Sequence, residues 1–413
     1  MMRKCFKYLA FIFIISILLT GCHKRTLTLA DDTWYIVDNN WILMLCEEAE
    51  QENYKGLVTQ LKENGDVLNS VIEQLQGMER DAKTENALGV AYLRLRKFDD
   101  AERHLKAALD LSVTEEEKAC ALTNLSECCL YQDKRDEVDL YAEEAYEKDI
   151  SDPVKRLILD TNMLKKKYLN SELSYKQVIK TAKKLIKRER KLLGSNQAIG
   201  AYNYYMIALA DFNYVGNDAG INYMKKALQL NQNTYQYKSV EANLYLEMGN
   251  YYSNNSENFD KALKCYNKCI EILENWQASN HYDLLFAYGR RGALYSFISQ
   301  DQYKAIEDYE KALAQCSSYP ELAYSTYIEL AWAYENLKQP EQEVKCYARA
   351  YYLWQHEGFN DPFGRYKDML IYAYKNLVQT DLDYENWSQE QLKQAETDLK
   401  EKWGEVKSDE NGL

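Results

Sequence analysis

The amino-acid sequence predicts an all-α protein, built as an α-solenoid of about seven to eight helix pairs. The chain has only four Pro and sixteen Gly among 413 residues, with 46% hydrophobic and 28% charged residues. Such a scarcity of turn-forming residues favours helices. A chain of this length also exceeds one compact core, so we expect several domains or an elongated array. A helix-pair pattern, clearest at residues 88–109, recurs toward the C-terminus and favours the array.

The first helix of each pair carries a large residue, a small residue, two variable positions and an aromatic residue. This pattern reads LGVAY from Leu88, MGNYY from Met248, RGALY from Arg291, LAWAY from Leu330 and LIYAY from Leu370. The second helix places small or apolar residues at i, i+4 and i+7, as in Ala101, Leu105 and Ala108. That spacing makes one buried stripe, and the small residues are expected to let the two helices approach closely.

These patterns resemble the tetratricopeptide repeat, a unit of two antiparallel helices. The resemblance implies a right-handed superhelix in which the first helices line the concave side. The last small position of each second helix marks the repeat, and the pair that contains Leu185 matches least well. The marker positions are Ala108, Ala145, Leu185, Ala227, Cys269, Ala312 and Ala350.

Six segments follow from these patterns. We predict a signal peptide over 1–21, a tether over 22–40 and N-terminal capping helices over 41–80. The repeat solenoid is expected over 81–387. Ser388 begins a sequence typical of a capping box, which predicts a C-terminal capping helix over 388–403. A flexible tail is expected over 404–413.

The N-terminal segment has the features of an export signal. Arg3, Lys4 and Lys7 precede an apolar run that is too short for a comfortable membrane span. The sequence Leu-Thr-Gly-Cys that ends at Cys22 resembles the lipobox of bacterial lipoproteins. This resemblance implies lipidation, with palmitate among the acyl chains, at Cys22 after cleavage before it. The alternative is an ordinary signal peptide or an uncleaved anchor.

A lipid on Cys22 would place the protein on the extracytoplasmic face of a bacterial cell membrane or on an outer membrane. We favour the Gram-positive arrangement, and the sequence leaves both open. Loss of the three basic residues of the signal would leave a net charge of about −16. That charge argues against nucleic acid as a partner.

No motif for catalysis, cofactor binding or metal binding occurs in the sequence. There is no phosphate-binding Gly-rich loop, HExxH or GxSxG, so we predict no enzyme and no cofactor. The four His are scattered and no Cys-x-x-Cys occurs, so no metal site is expected. Most of the ten Cys fall at helix-packing positions, which predicts small buried side chains instead of disulfides.

Register within the first helices predicts a set of partner-binding side chains. Aromatic rings beside amides would suit an extended peptide. Two alternatives remain open: the rings could fill packing between units, and the Asn residues could terminate helices. The candidates are Tyr202, Tyr205, Phe212, Asn213, Asn250, Asn254, Phe297, Trp332 and Asn336.

Charge is distributed unevenly along the chain. Residues 115–152 contain thirteen acidic and four basic residues, whereas residues 155–191 contain thirteen basic and three acidic residues. The basic stripe could dock an anionic polymer, lipid headgroup or acidic protein, or the two blocks could neutralise each other along the solenoid. The candidate docking residues are Lys176, Lys180, Lys183, Lys184, Lys187, Arg188 and Lys191.

The sequence thus predicts a cell-envelope lipoprotein that binds a protein or peptide as a scaffold or adaptor. The alternative is a sensor or carrier that captures a small peptide or glycan in the groove for a membrane partner. The oligomeric state does not follow from the sequence.

Overall fold

The computed structural model describes most of the chain in two compact units, residues 1–240 (unit 1) and 241–413 (unit 2). The residues that the structure describes form seventeen α-helices, one two-stranded hairpin, two short π-helices and one 3₁₀ turn. The described ranges are 32–38, 41–45, 65–132, 134–196, 198–214, 219–235, 238–275, 281–316, 320–357, 365–378 and 384–403.

Unit 1 contains the hairpin and the first nine helices. The strands are β1 (Asp32–Asp38) and β2 (Trp41–Leu45). The helices are α1 (Gly65–Gln76), α2 (Ala82–Arg94), α3 (Phe98–Leu111), α4 (Glu115–Tyr131), α5 (Arg135–Glu147), α6 (Pro153–Leu169), α7 (Tyr175–Leu193), α8 (Ala198–Tyr214) and α9 (Ala219–Leu230). A short π-helix, Asn231–Tyr235, follows α9.

Unit 2 contains the remaining helices. They are α10 (Lys238–Ser253), α11 (Phe259–Asn275), α12 (His281–Leu294), α13 (Gln302–Ala314), α14 (Pro320–Asn336), α15 (Pro340–Glu357), α16 (Arg365–Val378) and α17 (Tyr384–Trp403). A 3₁₀ turn, Ser256–Asn258, precedes α11, and a π-helix, Tyr295–Ser299, follows α12.

The helices form consecutive pairs, which confirms the predicted all-α solenoid. Even-numbered helices from α2 onward are the first helices of their pairs, and the odd-numbered helices that follow are the second. Within unit 1, α3 contacts α4, α5 contacts α6 and α7 contacts α8; within unit 2, α11 contacts α12, α13 contacts α14 and α15 contacts α16. Each pair therefore buries its apolar surface against its neighbour along the chain, as a solenoid requires.

Small residues of the first helices lie directly against large residues of the second. A Cβ atom on Gly249 would come within 2.5 Å of the Tyr266 ring, and one on Gly292 within 2.9 Å of the Tyr309 ring. The small position in MGNYY and RGALY thus makes room for a buried tyrosine. All seven marker positions are buried, including Leu185, so the weakly matching pair α6 and α7 is a genuine repeat.

Cysteines occupy packing positions, as predicted. Seven of them are buried thiols: Cys120, Cys128, Cys129, Cys265, Cys269, Cys316 and Cys346. Burial raises the pKa of Cys129 to about 11, so its thiol stays protonated and unreactive. Cys46 lies outside the described residues, as do the predicted signal peptide, the lipobox and the tail over 404–413.

The N-terminal segment differs from the prediction. Residues 32–38 of the predicted tether form β1, and residues 41–45 form β2 instead of the start of a capping helix. Trp41 and Leu45 match a helical spacing, but a short run rich in aromatic and apolar residues also suits a strand. The strands pair antiparallel, with Tyr35 opposite Ile42. The second predicted capping helix is present as α1, and residues 46–64 lie outside the described part.

The C-terminal helix begins earlier than predicted. Helix α17 starts at Tyr384, so Ser388 lies inside it and does not cap it. The reason is tertiary packing, because the Trp387 ring lies 4.2 Å from the Tyr374 ring of α16. That contact extends the helix by one turn beyond the local capping sequence.

Candidate protein-binding face

The first helices of unit 2 repeat the same register, which aligns side chains from one helix to the next. Glu247, Arg290 and Glu329 lie three residues before Asn250, Ala293 and Trp332 in α10, α12 and α14. Tyr372 in LIYAY is the equivalent of Trp332 in LAWAY. We call the surface formed by these positions the first-helix face.

An aromatic row runs along the first-helix face of unit 2; its members are Phe297, Trp332 and Tyr372. Phe297 is 57% exposed, and its ring meets the half-buried Trp332 ring edge-on at 6.1 Å between centroids. Tyr372 is 52% exposed, and its hydroxyl donates a hydrogen bond to Glu335 Oε1 at 3.3 Å. Large exposed rings at consecutive repeats are typical of a surface that binds a partner.

Two carboxyl groups lie beside the aromatic row, Glu335 at the end of α14 and Glu343 in α15. Glu343 is only 2% exposed, and its Oε1 has no hydrogen-bond partner among the described residues. Burial and the neighbouring Glu335 carboxylate raise the pKa of Glu343 to about 7. Tyr347 belongs to the same cluster: burial raises the pKa of its hydroxyl, and the nearby Glu335 and Glu343 carboxyl groups raise it further.

A second pair of carboxyl groups shares one arginine. Burial raises the pKa of Glu329 to about 7 and also raises that of Glu247, while the positive charge of Arg290 opposes both shifts. The Arg290 guanidinium also lies 5.9 Å from the centre of the Phe286 ring. This part of the face therefore contains its own cation.

The asparagines of the first-helix face of unit 2 include one that joins two helices and two that are exposed. Asn250 Oδ1 accepts a hydrogen bond from the Tyr266 hydroxyl at 3.0 Å, which joins α10 to α11. Asn254 and Asn336 are exposed. The left-handed residue after α14 is Lys338, with φ 54°, so Asn336 does not provide the left-handed cap.

The predicted binding residues of unit 1 have a different environment. Tyr202 and Tyr205 are 2% and 6% exposed, so these two rings pack in the core. The prediction that they bind a partner is therefore wrong, and the packing alternative holds for them. The Tyr202 hydroxyl donates to Met206 Sδ at 3.0 Å. Phe212 is half-buried and covers Gly220, where a Cβ atom would meet its ring at 2.2 Å. The Asn213 side chain lies outside the described part.

The hairpin lies on the first-helix face of unit 1. Strand β1 contacts α2, α4 and α6, and β2 contacts α8. These are the first helices of four consecutive pairs. A segment of the chain itself therefore covers the surface of unit 1 that corresponds to the aromatic row of unit 2.

The basic residues divide between two helices. In α6, Lys155 binds Glu116 at 2.7 Å, Lys165 binds Glu127 at 3.1 Å and Lys166 binds Glu143 at 2.7 Å. The acidic residues of 115–152 therefore neutralise the lysines of α6, in agreement with the alternative that the two charged blocks neutralise each other.

The seven candidate docking residues all lie on the next helix, α7. We call the surface that they form the basic face. Six of them are exposed and Arg188 is half-buried. Only Arg188 forms an ion pair within the described structure, with Asp160. Two lysines lie near rings instead, Lys176 at 5.8 Å from Tyr175 and Lys183 at 5.7 Å from Tyr223. Neutralisation by the acidic block thus does not extend to α7.

Sequence reasoning missed Tyr372, Glu329 and Glu343. The aligned repeats carried a signal for Tyr372, since it holds the position of Trp332. Glu343 gave no such signal, because its burial depends on the packing of α15 against α14 and not on its neighbours in the chain. Among the described residues, no group of His, Cys, Asp and Glu could hold a metal ion. Within the same residues, no helix combines the length and apolarity needed to span a bilayer.

Comparison with known families identifies the type of repeat in part of the chain. The tetratricopeptide repeat family matches residues 240–316 and, through a second model of the same repeat, residues 324–353. These segments are tetratricopeptide repeats. Both lie in the helix pairs from α10 to α15, which carry Phe297 and Trp332, and neither match indicates an enzyme family. Tetratricopeptide arrays offer extended surfaces that bind proteins or peptides. Among curated proteins, no sequence matches the chain significantly.

Three solved structures are similar to the chain at low sequence identity. A Rap protein complexed with Competence and Sporulation Factor is 15% identical, with 78% of this chain and 90% of that chain covered and a TM-score of 0.49. Aspartyl phosphate phosphatase F from Bacillus subtilis is 15% identical, with 75% and 85% covered and a TM-score of 0.46. BtubC from P. vanneervenii is 14% identical, with 61% and 95% covered and a TM-score of 0.42.

Proposed function

We propose that the protein is a lipid-anchored scaffold of the bacterial cell envelope that binds a protein or peptide through unit 2. The observation that carries the proposal is the aromatic row on the first-helix face. Aromatic rings contribute large contact area with few rotatable bonds, and they dominate the energy of many protein interfaces. The corresponding face of unit 1 is covered by the hairpin, which leaves unit 2 as the binding surface.

A photo-crosslinking experiment tests the binding surface. A photoreactive amino acid replaces Phe297 or Tyr372 in the full-length chain in intact cells. Tyr303, an exposed tyrosine on the second helix α13, gives the matched control position. We expect one and the same protein to crosslink at positions 297 and 372 and not at position 303.

Two results would contradict the scaffold proposal. If positions 297 and 303 crosslink to the same proteins, the aromatic row has no special role in binding. If only adducts of low mass form at positions 297 and 372, the protein is a carrier or sensor of a small peptide or glycan.

The anchor has an independent test. Two or three acyl chains on one residue suffice for stable anchoring, because each buried methylene contributes about 0.8 kcal/mol. Cys22→Ala should therefore release the chain from membranes, whereas Cys5→Ala should leave membrane retention unchanged. Retention of the Cys22→Ala protein at the wild-type level would refute lipidation at this site.

A further inference from the structure

We propose that the aromatic row and its two neighbouring carboxyl groups, Glu335 and Glu343, bind the cationic side chain of a lysine or arginine of the partner. The inference deepens the proposed function and rests on it. It names the chemistry that the first-helix face of unit 2 recognises.

The first argument is the state of Glu343. Its carboxyl group is almost completely buried, and Oε1 has no hydrogen-bond partner among the described residues. A buried polar oxygen without a partner is unfavourable, and native structures contain few of them. A partner cation that binds the half-buried Glu335 carboxylate would lie close to the buried Glu343 and favour its ionised form, because a nearby opposite charge stabilises a carboxylate.

The second argument is a comparison with two other carboxylates of unit 2, the buried Asp308 and the half-buried Asp398. Asp308 accepts two hydrogen bonds from Arg291 at 2.7 Å, and Asp398 binds Arg349 at 2.5 Å. The residues described in unit 2 supply no such cation to Glu335 or Glu343. For Asp308 and Asp398 the chain provides the cation itself, so at Glu335 and Glu343 we expect it from the partner.

The third argument is the presence of the rings. A cation over an aromatic face is attracted by the ring quadrupole, most strongly at tryptophan. Unit 2 uses this contact repeatedly within its own chain: Lys304 lies 5.4 Å from the Tyr295 ring and Lys311 lies 5.7 Å from the Tyr288 ring. Trp332, with Phe297 and Tyr372 on either side, offers the same surface to an external cation.

Selection of peptides provides the test. A phage-displayed random dodecapeptide library is selected on the immobilised full-length chain, and the recovered sequences are synthesised. Each lysine is then replaced by norleucine and each arginine by citrulline, which keeps the shape and removes the charge. Binding is measured with wild type, Glu343→Gln, Glu341→Gln and Trp332→Ala. Glu341, exposed on the same turn of α15, is the matched control.

We expect the selected peptides to contain a lysine or arginine whose neutral replacement weakens binding at least about tenfold to wild type and to Glu341→Gln. In Glu343→Gln the same replacement should have a much smaller effect, because the interaction has already been removed. The lysine and arginine peptides show which of the two cations the site prefers. If Glu343→Gln fails to fold, Glu335→Gln serves in the same cycle.

Three outcomes would overturn the inference, and they separate it from the proposed function. Peptides that need Trp332 but bind equally well after their charges are removed leave the binding surface standing and refute cation recognition. An equal effect of the neutral replacement in wild type and Glu343→Gln places the cation elsewhere. Peptides that bind Trp332→Ala as well as wild type, or no selected peptides at all, refute the proposed surface itself.

Discussion

The first-helix faces of the two units follow the same repeat but differ in what they present. In unit 1 the hairpin lies across α2, α4, α6 and α8, and Tyr202 and Tyr205 of α8 are buried. In unit 2 the rings of Phe297 and Tyr372 are largely exposed. The repeat therefore determines which helices form the face, whereas a segment from outside the repeats determines whether that face is available.

The composition of the helices agrees with this difference. Helix α8 has the sequence AIGAYNYYMIALADFNY, which is apolar on nearly all sides. Such a helix has to be covered all round. Helices α12 and α14 carry Arg290 and Glu335 beside their rings, so part of each helix faces water. The local sequence is thus consistent with a covered first-helix face in unit 1 and an exposed first-helix face in unit 2.

Deletion of residues 32–45 should have the largest effect on stability, because it removes the hairpin that distinguishes the first-helix face of unit 1 from that of unit 2. Each large apolar side chain that loses its cover costs about 1.5–3 kcal/mol. We expect amide hydrogen exchange in α2, α4, α6 and α8 to accelerate by about 100-fold, and exchange in α12 and α14 to stay unchanged. The measurement is hydrogen exchange with mass spectrometry. Equal acceleration in both units, or none in unit 1, would contradict the role given to the hairpin.

Trp332→Ala should weaken partner binding by about 30-fold, since truncation of a central aromatic residue costs about 2 kcal/mol in many interfaces. Binding is measured by titration with the crosslinked partner or with a selected peptide. Tyr303→Ala removes a more exposed ring from α13 and should leave the affinity unchanged. Similar losses in both variants would mean that unit 2 binds through general aromatic exposure and not through its first-helix face.

Glu343→Gln should stabilise unit 2 at high pH, by about 1 kcal/mol or 2–4 °C in melting temperature. The folded-state pKa of Glu343, about 7, lies above its usual value of 4.5. The folded state therefore holds the proton more tightly, and wild-type stability falls as pH rises from about 4.5 to 7. The gain should be present at pH 8 and absent at pH 4.

Thermal unfolding at the two pH values measures this gain, with Glu341→Gln as the control. An equal gain at both pH values would show that the carboxyl charge is not the cause. Higher stability together with weaker binding of a cationic peptide would indicate that Glu343 serves binding at the expense of the fold.

The smallest effect is expected on the basic face of α7. Lys180→Gln, Lys184→Gln and Lys187→Gln should each change the unfolding free energy by less than about 0.5 kcal/mol, because these exposed side chains form no ion pair in the described structure. Lys166→Gln in α6 removes a buried lysine from its contacts with Glu143 and Asp139 and should cost about 1 kcal/mol. Chemical denaturation compares them. Equal costs would show that α7 is neutralised as α6 is.

Much of the fold could be predicted from the sequence because periodicity records which side of a helix is apolar. The spacing of small residues located seven helix pairs, including the one around Leu185 that has a poor consensus. The same reasoning placed the cysteines in the core. These features depend on residues three to eight positions apart, so local sequence is enough to determine them.

The site could be predicted only in part, because exposure depends on segments that are distant in the chain. Tyr202 and Trp332 both lie in first helices, yet the Tyr202 ring is buried and the aromatic row around Trp332 reaches the surface. No periodicity distinguishes them. The hairpin was hidden because Trp41 and Leu45 fit a helix and a strand equally well.

The sequence by itself thus determined the repeat, its register and the residues that fill its core. The tertiary structure alone decided that the first-helix face of unit 1 is covered, that α6 is neutralised while α7 is not, and that Glu343 is buried beside Glu335 without a cation. The physical reason is the range of the interactions. Helix pairing depends on neighbouring residues, whereas burial and charge pairing depend on side chains brought together from separate helices.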